Sequence, residues 1–280
     1  MDIARTIADL WSHIAGWRNV GERVGLVPTM GALHDGHLAL VRAAQADCRR
    51  VVATIFVNPK QFAPNEDLAS YPRREAADLA MLRSAGVALV FMPAVAEIYP
   101  PGFATTVRVA GLTDCLCGAH RAGHFDGVAT VVTKLLLQSL ADTAYFGEKD
   151  YQQLLVVRRL ARDLDIPVQI AGVPTVREAD GLALSSRNAY LSPKERRIAP
   201  GLAQVLRRIA AALSAQPDAV VRETARGSAD LEQAGFAVEY LEIREAEALA
   251  PVAATVTAPA RAFGAVHLGR TRLIDNIPIG

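Results

Sequence analysis

The sequence predicts an α/β fold, a doubly wound parallel sheet followed by a smaller C-terminal α+β domain. Two observations predict it. Through about the first 175 residues, short apolar runs alternate with longer segments of helical period, the pattern of parallel βαβ units whose strands are covered on both faces. Beyond that point the character changes to a loop rich in Gly, Ser and Asn and then to an Ala- and Arg-rich helix. Two domains are therefore expected, 1–175 and 176–280, with no internal repeat or low-complexity tract.

Taken in order, the N-terminal stretch MDIARTIADLWSHIAGWRN reads as an amphipathic helix. It has neither the continuous apolar core nor the basic lead of a signal peptide. Strands are expected at 23–29, 51–57, 87–93, 143–147 and 168–176, where apolar residues run almost unbroken. Helices are expected over HLALVRAAQAD, YPRREAADLAMLRSAG, FDGVATVVTKLLLQSLAD and DYQQLLVVRRLARDLD, each with apolar residues three and four apart. The second domain opens with a helix from Ser192 that carries Pro193 in its first turn. It ends in the strand-like runs FAVEYLEIRE and RAFGAVHLGRTRLIDNIPI.

Composition narrows the function. Of 280 residues 51% are hydrophobic and 21% charged, with 30 Lys+Arg against 29 Asp+Glu and a net charge of +1, which is globular and argues against a main task of gripping nucleic acid. At this length roughly 70% or more of the unfolded chain's surface can be buried, so no disulfide or metal staple is required. Cys48, Cys115 and Cys117 are odd in number and lack zinc spacing, which points to a reducing compartment. No apolar run approaches the ~18 residues of a membrane span, and a cytoplasmic location is expected.

Neither the GxxxxGK(S/T) loop nor the GxGxxG fingerprint occurs. The first strand instead runs through VPTMGALHDGH into a helix, placing His34 and His37 three apart where the helix begins. Ligands of open α/β sheets bind at the carboxyl ends of strands, and a helix N-terminus offers N–H groups and a positive dipole to phosphate. The alternative is a turn with two incidental histidines. At the end of the next strand Asn58 and Gln61 flank a proline turn, as substrate-binding amides or as turn caps. Gly147, Glu148, Lys149 and Asp150 form another strand-to-helix turn, with Lys149 able to neutralise phosphate and Gln153 one turn into the helix. Ser185, Ser186 and Arg187 lie in a loop suited to a mobile phosphate clamp, or simply in a loop. His120, Arg121 and His124 either bind an anion or pack; Cys115 and Cys117 read as incidental small residues.

Together these segments resemble the pantothenate synthetase (pantoate–β-alanine ligase) family of the HxGH nucleotidyltransferase superfamily. PTMGALHDGH, TIFVNPKQF, YPR, GHFDGVATVV, YFGEKDYQQL, VPTVREADGLALSSRN and RLIDN occur in the family's order, over nearly the whole chain. The resemblance implies a Rossmann-like catalytic domain that binds ATP and pantoate, and a C-terminal domain closing over the ATP site. It implies formation of pantoyl adenylate and pyrophosphate, then attack by β-alanine to give pantothenate and AMP. On that likeness Met30, Gly31, Ala32, Leu33, His34, Asp35, Gly36 and His37 bind nucleotide, with both histidines on the phosphates and His37 as proton donor. Gly147, Glu148, Lys149, Asp150, Val176, Leu184, Ser185, Ser186 and Arg187 complete the ATP site; Lys149 and Arg187 join the histidines as catalytic residues. Gln61 and Gln153, with Asn58 beside them, bind pantoate. Mg²⁺ with no assigned ligands, a homodimer, and no nucleic-acid or membrane partner are also implied. Two positions depart from the family pattern: Lys60 stands where methionine is usual, and Cys117 where an acidic residue is common. If strand-like alternation persists, Lys60 faces away from Gln61.

Overall fold

Apolar β-branched runs that recur after each helix have one stable outcome, a parallel sheet sandwiched between helices. The computed structural model describes residues 1–64 and 66–280, and they divide into two compact units. The first comprises Met1–Asp114, Gly118–Glu148 and Gln153–Pro174; the second comprises Cys115–Cys117, Lys149–Gln152 and Thr175–Gly280.

The first unit is built on a six-stranded sheet whose neighbouring strands are all parallel. In chain order its strands are β1 (Asp2–Ala4), β2 (Val24–Val27), β3 (Arg50–Thr54), β4 (Leu89–Phe91), β5 (Thr143–Gly147) and β6 (Gln169–Val173). They lie side by side as β1-β4-β3-β2-β5-β6, so the winding direction reverses at the β2/β5 pair. That is the topological switch point, where loops leave the strand ends in opposite directions and open a crevice. The connecting helices are α1 (Ile7–Asn19), α2 (Asp35–Asp47), α3 (Glu75–Ser84), α4 (Val95–Ile98), α5 (Cys117–His120), α6 (His124–Ser139) and α7 (Tyr151–Asp163). Val27, Val41, Ala44, Val51, Ala53, Leu82 and Val90 fill one face of the sheet.

One expectation fails at the N-terminus. The stretch read as a single helix starts as edge strand β1, paired parallel to β4, and α1 begins only at Ile7. Thr6 sets that start, because its side chain accepts from Asp9 N–H while the Asp9 carboxylate accepts from Thr6 N–H, a capping box.

The second unit holds α8 (Pro193–Ile198), α9 (Gly201–Ala215) and α10 (Val220–Gln233), then the strands β7 (Ala237–Glu245), β8 (Ala260–Leu268) and β9 (Thr271–Ile279). The helix expected from Ser192 is two helices, because Pro200 has no N–H to continue the ladder. The strands form an antiparallel sheet in sequence order, β8 and β9 joined by a two-residue turn with Gly269 at φ +57°. Leu202, Leu206, Ile209, Leu213, Val266 and Leu273 form its core.

Candidate active site

In the first unit the loop after β2 is held from two sides. Thr29 N–H donates to Thr54 Oγ1 at 3.1 Å and Thr29 Oγ1 donates to the Thr54 carbonyl at 2.5 Å, tying the ends of β2 and β3 together. Gly31 and Ala32 then take left-handed conformations, φ +82° and +51°, which turns successive N–H groups the same way. Ala32 N–H and Leu33 N–H both donate to the Asp78 carboxylate on α3, each at 2.9 Å. Met30 is half-buried beside this turn.

The two histidines start α2. His34 is its N-cap, and its Nδ1 accepts from Gly36 N–H at 3.1 Å; His37 Nδ1 accepts in turn from His34 N–H at 3.3 Å. This is a capping box with imidazoles in the places usually taken by Ser and Glu. The rings lie 4.1 Å apart, centroid to centroid. A neutral imidazole that accepts at Nδ1 carries its proton on Nε2, so both side chains present an N–H donor from Nε2. Asp35 is exposed and Gly36 half-buried in the first turn. The dipole of α2 adds positive potential at the same end.

After β3 a short 3₁₀ turn, Pro59–Gln61, carries the next candidates. Gln61 Oε1 accepts from Asn58 Nδ2 at 3.0 Å, and Gln61 Nε2 lies 3.1 Å from Met30 Sδ. Asn58 has a different position from the one expected of a substrate ligand. It is only 1% exposed; its Nδ2 also donates to the Gly127 carbonyl at 3.0 Å, and its Oδ1 accepts from Tyr99 Oη at 2.7 Å and from Lys60 N–H. Asn58 therefore braces Gln61, with its amide spent inside the protein. Behind the turn, Arg121 makes a two-pronged ion pair with Glu66, at 2.6 and 2.7 Å, and contacts His124, whose Nδ1 lies 2.9 Å from the Gln61 carbonyl. Burial opposes ionisation of Glu66, but Arg121 outweighs it and holds the carboxyl below the usual glutamate range. Gly147 ends β5 and Glu148 follows it, and Gln153 is half-buried in the first turn of α7.

In the second unit, Lys149 lies in the 3₁₀ turn Glu148–Asp150, its Nζ 3.9 Å from Asp150 Oδ1. Val176 and Leu184, both assigned to nucleotide binding, bond to each other, Leu184 N–H donating to the Val176 carbonyl at 3.0 Å. They close a hairpin-like loop that turns at Gly181, φ +94°. It leads straight into Ser185, Ser186 and Arg187, where Ser185 Oγ caps the turn Ser186–Tyr190 by accepting from Arg187 N–H at 3.3 Å. Among the described residues no group of three His, Cys, Asp or Glu could hold a metal ion, and no helix is long and apolar enough to cross a membrane.

The family model for pantoate–β-alanine ligase matches residues 2–278. The chain belongs to the pantoate–β-alanine ligase family. A protein named pantothenate synthetase from Paramagnetospirillum magneticum is 58% identical over 278 residues, covering 99% of this chain and 97% of that one. The crystal structure of pantothenate synthetase from Thermus thermophilus superposes with a TM-score of 0.92 at 50% identity, covering 99% of each chain. That of the pantoate–β-alanine ligase from Francisella tularensis, described as complexed with beta-gamma ATP and beta-alanine, has a TM-score of 0.83 at 34% identity over 99% of this chain and 97% of that one.

As a pantoate–β-alanine ligase, this chain resolves both of its departures from the family pattern structurally. Lys60 sits in a 3₁₀ turn, not in a continuing strand, and its Nζ stacks 5.3 Å from the ring centres of both Tyr99 and Phe103. Cys117 is buried, its Sγ 3.2 Å from Tyr240 Oη and 3.4 Å from Arg272 Nη2, which also pairs with Glu239. Burial pushes the Tyr240 hydroxyl well above its usual range. Thr29, Thr54, Asp78 and Gly127 are the site-shaping residues that sequence reasoning missed. Asp78, only 3% exposed in the first turn of α3, carried no signal in the sequence beyond being an acid early in a helix.

Proposed function

We propose that this ligase condenses pantoate with β-alanine through a pantoyl-adenylate intermediate, at the expense of ATP. A carboxylate oxygen of pantoate attacks the α-phosphorus of ATP, the bond to the bridging oxygen breaks, and pyrophosphate leaves. The amine of β-alanine then attacks the acyl carbonyl, the acyl–phosphate bond breaks, and AMP departs with pantothenate formed.

The observation that carries the reading is the imidazole capping box at the switch point of the sheet, where two histidines, each accepting a backbone N–H at Nδ1, sit together at a helix N-terminus. An anion attacking a polyanion needs charge neutralisation and positioning more than acid–base chemistry. In the first unit, His34 and His37 donate to phosphate oxygens that gain charge as pyrophosphate forms, with His37 supplying a proton, and the 30–33 turn lies against the nucleotide. Gly147, at the end of the neighbouring strand β5, and Glu148 just after it contribute backbone to the same site. In the second unit, Lys149 and Arg187 neutralise phosphate, Ser185 and Ser186 donate hydroxyl and backbone hydrogen bonds, Asp150 binds the ribose, and Val176 and Leu184 frame the loop. Magnesium enters as part of the MgATP substrate, in keeping with its habit of binding through substrate phosphates with few protein ligands.

Gln61 and Gln153 hold pantoate as neutral amides. A lysine there would stabilise the carboxylate before reaction and blunt its attack, whereas an amide orients it without that loss. Asn58 acts one step back, by fixing Gln61. We also read the protein as a cytoplasmic homodimer. Half-exposed Trp11 on α1 and Leu137 and Leu140 at the end of α6 support an apolar contact, and light scattering tests it.

Release of AMP and pyrophosphate from MgATP, with pantoate alone, β-alanine alone and both, tests the reading. Equal amounts of AMP and pantothenate are expected only with both substrates, and loss of that activity in His37→Ala and Lys149→Ala. Full activity in both variants would overturn the assigned roles.

A further inference from the structure

The RLIDN segment near the C-terminus has no part in the chemistry above, yet it puts two consecutive polar residues in the interior of β9. Asp275 is 5% exposed and Asn276 3%. Successive residues of a strand point to opposite faces, so each is buried on its own side of the sheet. A buried polar pair is costly unless every hydrogen bond is made, so the partners matter.

On one face, Asn276 Nδ2 donates to the carbonyl of Lys149 at 3.0 Å, while its Oδ1 accepts from Arg261 Nε at 2.8 Å. The Arg261 guanidinium in turn stacks 3.9 Å from the ring centre of Tyr151. The segment carrying Lys149 is thus gripped twice, by its backbone and by the ring two residues on. On the other face, the Asp275 carboxylate takes both arms of Arg177, at 2.6 and 2.9 Å, and accepts from Asn276 N–H at 2.8 Å. Arg177 also donates to the Gly181 carbonyl at 3.1 Å. It therefore locks the 176–184 loop that delivers Ser185, Ser186 and Arg187.

We infer that Asp275 and Asn276 are positioning residues for the phosphate-binding groups: through the neighbouring faces of β9 they hold the Lys149 turn and the Arg187 turn as parts of one rigid body. The inference rests on the roles given above to Lys149 and Arg187. It follows from which atoms are bonded, since Asn276 anchors on the Lys149 backbone carbonyl and Asp275, through Arg177, on the base of the 176–184 loop.

The test is a pair of double-mutant cycles read by pyrophosphate release, Asn276→Ala with Lys149→Ala and Asp275→Asn with Arg187→Ala. Each positioning variant alone should lower kcat by about 10- to 100-fold, the scale of an ångström-level misplacement, with the pantoate KM within about twofold. In the Lys149→Ala background, Asn276→Ala should cost less than about twofold more, because the group it positions is gone. Multiplicative losses in both cycles would overturn the inference and leave a general structural role. Wild-type rates in Lys149→Ala and Arg187→Ala would refute the underlying assignment instead, so the two failures are distinct. Should Asn276→Ala not fold, Asn276→Asp keeps the acceptor for Arg261, sets an oxygen against the Lys149 carbonyl, and should give the same non-additive loss.

Discussion

Gly127→Ala is the sharpest test of how the turn proposed to bind the acid is placed. A Cβ at this position on α6 would stand 2.2 Å from the Lys60 carbonyl oxygen and 2.6 Å from Gln61 N, where ordinary contact begins at 3.4 Å. Both near atoms are backbone, so the turn has to retreat by about 1.2 Å, taking Gln61 with it. The move also stretches the 3.0 Å bond from Asn58 to the Gly127 carbonyl. Overpacking of this kind costs about 1–3 kcal/mol, or several degrees of Tm at roughly 2–4 °C per kcal/mol. A displacement of about 1 Å at a positioning residue lowers turnover by about 100-fold. Steady-state pyrophosphate release with pantoate and ATP varied separately should show kcat/KM for pantoate down by about that factor and the ATP KM nearly unchanged, because the 30–33 turn is anchored on Asp78. Gly16→Ala is the control: a Cβ there meets nothing within 4 Å on the exposed side of α1, and the change should stabilise by about 0.5–1 kcal/mol. A Gly127→Ala enzyme with lowered Tm but pantoate kinetics within twofold of wild type would refute the reasoning.

Asp78→Asn exchanges one of two acceptors for an amide that cannot serve both N–H groups of the 32–33 turn; the ATP KM should rise about tenfold, for roughly 1.4 kcal/mol of lost order, with pantoate KM unmoved. Isothermal titration with a non-hydrolysable ATP analogue checks it, and unchanged affinity would count against Asp78 as the anchor. Glu66→Gln addresses the ion pair behind Gln61. The folded-state pKa of Glu66 is depressed, so its stabilisation is present above the ordinary value of 4.5 and is lost as pH falls through the folded value. Wild-type Tm should drop more steeply than that of Glu66→Gln below pH 4.5, and parallel curves would show that Arg121 does not hold the carboxylate. Gln153→Lys should bind pantoate at least as well as wild type while forming adenylate about tenfold more slowly; an undiminished single-turnover rate would sink the neutral-amide argument.

The layers of the protein differ in how legible they are from sequence, for physical reasons. Strands covered on both faces need unbroken apolar runs, and β2 to β5 were readable for that reason. The edge strand β1 has three residues, Asp2–Ala4, and its identity comes from pairing with Leu89–Phe91, far along the chain. His34 and His37 stood out because their spacing coincides with a helix start, but the bonds that make them Nε2–H donors depend on the backbone of that start. Asn58 and Gln61 look equivalent in a proline turn. What separates them is Tyr99 and Gly127, remote in sequence, which consume one amide and leave the other beside Met30. Asp78 was hidden for the same reason: an acid early in a helix is ordinary, and only the fold brings the 32–33 backbone onto it.

The separate seats of the two first-unit turns have an evolutionary consequence. The 30–33 turn, proposed to face the nucleotide, rests on α3 through Asp78, whereas the 58–61 turn, proposed to face the acid, rests on α6 through Gly127, so each has an anchor of its own. A lineage, or a designer, could retarget the acyl substrate by remodelling residues 58–62 and the α6 surface beneath them, and inherit adenylating chemistry intact from the loop next door.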